Sequence, residues 1–211
     1  MLIYTPERIA VLEVALSPQR LSTYISATRG DKERALNLYV WNSRISAAFY
    51  TPLQGLEVAL RNAMHNVLCG FFKREDWYEV APLDGKGQQN VLKAKETVQR
   101  LHRDVNPPHV VAELSFGFWL ALLGSRYHPT LWVQALHRAF PNAARGRADI
   151  VRPLDHLRVL RNRVAHHEPV FSRHLELDYR SILDALGWIC TDTQQWIAEQ
   201  SSVLEVLQQK P

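Results

Sequence analysis

The run "LRVLRNRVAHHEPVF", from Leu157 to Phe171, sets three arginines, an asparagine and two adjacent histidines in an apolar repeat and ends it with a proline. A guanidinium is a forked donor that matches phosphate oxygens. An imidazole titrates near neutrality, as general acid–base work requires. Arg161 and His166 together therefore suit chemistry at a phosphodiester, one binding its charge and the other moving a proton. Asn162 and His166 are four residues apart and share a helix face. Arg161 lies ~140° from His166 around the axis, a gap its long arm can close. Arg161, Asn162 and His166 are the catalytic candidates. Arg158 and Arg163 are candidates for contacts to an anionic ligand. On a continuing helix His167 points away from His166 and is expected to cap the end or pack.

These residues need a helix to position them. Ile150, Leu154, Leu157, Leu160 and Val164 recur at three- and four-residue steps, which predicts an apolar stripe on a helix from about Arg147 to His167, with a bend at Pro153. Pro169 cannot continue a helix and disfavours helical geometry at Glu168, so the histidines fall in the last turn. There the carbonyl end of the helix favours a protonated ring. Arg161 sits at the stripe's edge, where a guanidinium needs an anionic or polar neighbour; Glu57 and Glu113 are the acids that could serve. Its bland reading is a structural ion pair.

A weak echo occurs earlier in the chain. "EVALRNAMHNVL" repeats the Leu-Arg-Asn of the later run and adds a histidine, one residue closer than before. Arg61, Asn62 and His65 are accordingly accessory candidates on a second, similar surface. His166, His167, Glu168 and His174 form a poor metal set, because adjacent helical histidines diverge by ~100° and no HExxH spacing is present. No metal and no cofactor are expected.

The chain has 211 residues, 46% hydrophobic and 22% charged, which is a globular composition and enough for one sizeable core. Net charge is +4. Between Ala144 and Ala165 six arginines stand against two aspartates, a local excess equal to that of the whole chain. The imbalance favours an anionic partner. Cys69 and Cys190 form no CxxC pair and read as buried small hydrophobes. The opening "MLIYTPERIA" lacks a secretory pattern and no window approaches a membrane span, so a cytoplasmic setting without membrane contact is expected.

Periodicity predicts helices nearly throughout. Ser17-Pro18 ends one and opens the next, which runs to about Arg29-Gly30; Asp31 caps a third, and Thr51-Pro52 opens a fourth through Phe72. "PLDGKG" reads as a loop, followed by a helix over "QQNVLKAKETVQRLHRDV". Pro107-Pro108 starts "HVVAELSFGFWLALLG"; "RYHPTLW" reads as irregular and "WVQALHRAF" as a short helix. Two more follow, over "LELDYRSILDALGWIC" and "TDTQQWIAEQSSVLEVLQQ". The fold class is all-α, a multi-helix up-and-down bundle in one domain over 1–211, with 1–30 as a helical appendage.

At "RNRVAHHEPVF" the sequence resembles the Abi-like (abortive-infection) family of the HEPN superfamily, whose nucleases carry Arg, a polar residue and then His; Arg161-Asn162-x3-His166 fits. "LEVALRNAMH" and "VVAELSFGFWLALL" also resemble segments of that family in order and approximate spacing, so the likeness covers roughly residues 30 to 190. It implies a HEPN-like bundle acting as a homodimer, with two motifs facing across a cleft. It further implies a metal-independent endoribonuclease that leaves a 2′,3′-cyclic phosphate, with RNA as substrate. A role in phage defence, or in a toxin–antitoxin-like pair, follows from the same likeness, with an antitoxin or a phage-derived trigger as a further partner. Some superfamily members are non-catalytic RNA- or partner-binding modules, which is the rival reading.

Overall fold

The computed structural model describes residues 3–144 and 146–211; Arg145, counted in the arginine run, lies outside the described residues, as do the first two positions of the 1–211 domain. The fold is all-α: about 75% of the chain is helical, and the described residues contain no strand. In chain order the helices are α1 (Pro6–Leu16), α2 (Pro18–Ala27), α3 (Lys32–Phe72), α4 (Gly85–Arg100), α5 (Pro107–Glu113), α6 (Phe116–Leu122), α7 (Arg147–Ala165), α8 (Leu175–Ile189), α9 (Thr191–Gln200) and α10 (Val203–Gln208).

The third and fourth helices expected from the sequence are one. α3 runs 41 residues straight through Pro52, and Thr51 caps nothing. The reason lies in its buried face. Leu38, Trp41, Ile45, Phe49, Leu53, Leu56, Leu60, Met64 and Leu68 form an unbroken stripe, none more than 6% exposed. An interior proline costs roughly 3 kcal/mol, whereas each large apolar side chain buried contributes roughly 2 kcal/mol. Splitting the stripe at residue 51 would forfeit several of those. α3 is thus the spine, and α2, α6, α7, α8, α9 and α10 all pack on it. Gly55 allows the approach of α9, since a Cβ there would lie 2.6 Å from Ile197 Cδ1.

Elsewhere the ends follow local chemistry. Asp31 caps α3 through a 2.9 Å bond from the Arg34 amide, and Asp84 caps α4 through Gly87. The helix expected from Pro107 onward is two. Ser115 caps α6 by accepting from the Phe118 amide, and the Trp119 indole takes the Leu114 carbonyl, which ends α5. The final expected helix divides likewise, at Ser201-Ser202. The stretch "RYHPTLW", expected to be irregular, carries a π turn at His128–Trp132, and the short helix expected over "WVQALHRAF" is a 3₁₀ turn at Leu136–Ala139. Of residues 1–30, α1 buries nothing, while α2 buries Leu21 and Tyr24 against the core. Both cysteines are only partly buried, not core residues as expected; Cys69 lies on the outer flank of α3, against His65. Among the described residues no helix is long and apolar enough to cross a membrane.

Candidate functional site

α7 carries the arginine run and packs beside α3. Ile150, Leu154, Leu157 and Leu160 are buried, as the periodicity predicts, and Val164 is partly so. α7 ends at Ala165, and its end is more specific than a proline stop. His166 is the C-cap, and His167 adopts the left-handed conformation with φ 57°. The His167 amide donates to the Val164 carbonyl at 3.2 Å and the Glu168 amide to the Arg163 carbonyl at 2.8 Å. This is the paired-bond end in which glycine usually holds the left-handed position. Here a histidine does.

The chain beyond this turn is tied down from three helices. Arg20 of α2 donates to the His167 carbonyl. Asn42 of α3, 4% exposed, accepts from the amides of Val170 at 2.7 Å and Phe171 at 3.2 Å. Arg163 reaches the Pro169 carbonyl at 3.4 Å, with Glu168 at 3.9 Å. Asn42 was not among the sequence candidates. The signal for it was present: an asparagine in core register, four residues after Leu38 and three before Ile45.

Two adjoining grooves open between these elements. One, of about 440 Å³, is lined by Glu57, Arg61, Arg161 and His167 among others. The other, of about 560 Å³, is lined by Arg20, Tyr39, Ser43, Ser46 and again His167. Tyr50, Val164 and His167 line both. The structure therefore brings together Arg161 and Arg61, the arginines of the two similar sequence runs, and sets His167 beside them. It does not bring His166 there. His166 is exposed, lines neither groove, and its ring has no hydrogen bond among the described residues. At ~100° per residue a continuing helix would set His167 ~120° from Arg161 and His166 ~140° on the other side; the left-handed turn at His167 departs from that course.

Arg161 has the partner its stripe-edge position called for. Its Nε lies 3.1 Å from Glu57 Oε2 and its Nη2 3.5 Å from Oε1. The two side chains are 39% and 24% exposed, respectively. At that exposure an ion pair contributes at most about 1 kcal/mol, so a phosphate that engages the same fork can displace the carboxylate. Arg61 makes only a 3.4 Å contact to the adjacent Asn62 and has no carboxylate partner among the described residues. Asn162 is half-buried, with no side-chain hydrogen bond among them either.

Most of the remaining arginines are structural. Arg147 donates to the Leu123 carbonyl at 2.7 Å, and Arg158 pairs with Asp155 on its own helix at 2.8 Å. Arg158 lies over Gly117 of α6, outside both grooves. Part of the local positive charge is thus engaged within the fold, and the groove keeps Arg161 with Arg61 beside it.

His65 is held elsewhere. The buried Trp77 indole donates to its Nδ1 at 3.0 Å, which places the ring proton on Nε2, 3.5 Å from Cys69 Sγ. Burial holds the His65 ring below its usual basicity, with Glu75 opposing, and pushes the Cys69 thiol up. A ring whose acceptor nitrogen is already occupied cannot take the thiol proton, so this pair is a packing contact. Among the described residues no group of three or more His, Cys, Asp or Glu side chains is arranged to hold a metal ion, and His166, His167, Glu168 and His174 do not converge. Comparisons of the chain with protein-family models, with curated proteins and with solved structures find no match.

Proposed function

We propose that this chain is a metal-independent endoribonuclease of the HEPN type that works as a homodimer. One observation carries the reading: Arg161 and His167 line the same groove, with Arg61 beside them. In the reaction the RNA 2′-oxygen attacks the adjacent phosphorus, the bond from phosphorus to the 5′-oxygen breaks, and a 2′,3′-cyclic phosphate and a 5′-hydroxyl result. Arg161 and Arg61 stabilise charge gathering on the phosphorane oxygens, where preorganised donors contribute most. His167, its backbone fixed by Arg20, takes the 2′-hydroxyl proton. The leaving 5′-oxygen needs a proton from a second group. His166, exposed at the same helix end, supplies it to the groove of a second copy, and Asn162 orients that histidine or the phosphate. The cellular setting that fits such an activity is phage defence, with RNA as substrate and an antitoxin or phage-derived trigger controlling it in the cytoplasm.

A second reading has its own observation. Arg161 is paired with Glu57 and His166 stands off the groove, as in a surface that binds RNA or a partner without cutting it. One experiment separates the two. Purified protein is incubated with total RNA in EDTA, beside Arg161→Ala, His166→Ala and His167→Ala. Cleavage that persists in the chelator and falls at least a hundredfold in each variant supports the nuclease, and end-group analysis should find the cyclic phosphate. Undiminished cleavage in all three variants defeats it. Binding without cleavage, weakening steeply with salt, selects the second reading.

A further inference from the structure

The groove of about 560 Å³ has features that phosphodiester chemistry does not use. Along α3, Tyr39, Ser43, Ser46 and Tyr50 follow one another at three- and four-residue steps and so share a face, which Ala47 also borders. Small residues lie between two tyrosines, which leaves a recess with an aromatic ring at each end. Tyr50 is 63% exposed, high for a ring in a lined groove, and it belongs to both grooves. Ser46 Oγ is buried in the wall and has no hydrogen-bond partner among the described residues. The neighbouring Asn42 is fully engaged with the Val170 and Phe171 amides. Arg20 at the rim uses one N–H on the His167 carbonyl and keeps others available. No carboxylate lines this recess.

We infer that this recess takes one unpaired base of a single-stranded RNA, stacked on Tyr50, while the next phosphate lies at Arg61 and Arg161. The inference rests on the ribonuclease reading and specifies its substrate as unpaired RNA. Glu57, which marks the Arg161 head, is seven residues beyond Tyr50, about 10 Å along the helix axis, within reach of a single nucleotide. An exposed ring offers its face to any base, and stacking of this kind is the usual means of holding single strands. A base in a duplex cannot enter, because its face is covered by its neighbours.

The test uses an eight-nucleotide strand bearing 2′-fluoro groups, which has no 2′-hydroxyl to attack, with 2-aminopurine at one position moved along the strand. Wild-type protein should quench the fluorophore at one position, and a duplex of the same sequence should compete poorly. Tyr50→Ala should abolish that quenching and weaken binding about tenfold, while Tyr50→Phe keeps both. Because Tyr50 is exposed, both variants should melt as wild type by circular dichroism. Tyr50→Ala that binds and quenches as wild type overturns the platform. So does a wild type that binds no strand but self-associates through Tyr50, which would make this face a protein interface. Cleavage of unmodified RNA, measured alongside, separates the two ideas. Cutting without quenching leaves the nuclease reading standing and removes the platform; quenching without cutting keeps the platform and removes the nuclease.

Discussion

His167 occupies a backbone conformation that costs a non-glycine residue about 1 kcal/mol, at the position where helix ends most often place glycine. Histidine is among the side chains that tolerate it best, and strain of this kind persists where the side chain is needed. His167→Gly should therefore raise thermal stability, by about 1 kcal/mol, and at the same time abolish RNA cleavage. Calorimetry and the cleavage assay read the two effects separately, and a variant that is both more stable and fully active would show the ring to be dispensable. The tandem histidines were legible in the sequence by type and spacing. Which of them lines the groove was not, because on a helical wheel the two lie at similar angles from Arg161, ~140° and ~120° on opposite sides, and the left-handed turn at His167 departs from helical geometry. The Arg161–Glu57 pair was legible in outline, since a guanidinium at a stripe edge demands an acid and Glu57 was one of two within reach. That Arg61 would join the same groove while His65 turned to Trp77 depends on the packing of α3 against α7 and on the 3₁₀ turn that carries Trp77.

At the scale of elements, the capping signals at Ser17-Pro18, Asp31 and Pro107-Pro108 fell where helices begin, because each rests on a side chain bonding an amide three residues on or on a proline that needs none. Thr51-Pro52 carried the same signal and was overridden by burial on both sides. The competing magnitudes make Pro52→Ala a test of that account. The substitution restores a helical hydrogen bond and removes the ring's clash, worth roughly 3 kcal/mol. It deletes two buried methylenes, at about 0.8 kcal/mol each. The net expectation is a gain of about 1 kcal/mol in denaturant unfolding with an unchanged slope. A loss of stability would mean that the proline ring is a fitted part of the core. The π and 3₁₀ turns between His128 and Ala139 had no such legibility; their apolar residues are buried by tertiary contacts, with too little local periodicity to announce a helix type.

For the whole molecule, the all-α class follows from periodicity that rarely departs from three- and four-residue steps, whereas the centrality of α3 could not be read until Pro52 was seen to be interior. The same spine fixes what one chain offers to RNA. A groove holding Arg161, Arg61 and His167 has one histidine for a reaction that moves two protons, and His166 is exposed beside it without a partner among the described residues. If a second copy brings its His166 to this groove, each site contains Arg161 from one chain and His166 from the other. Arg161→Ala and His166→Ala proteins, each inactive alone, should then regain activity when unfolded together and refolded as a mixture. Random pairing gives mixed dimers for half of the population, each with one intact site of two, so recovery should be about a quarter of wild type. A mixture as inactive as its components would place both groups in the same chain's site. Sedimentation of the wild type as a monomer at assay concentration would remove the shared site altogether.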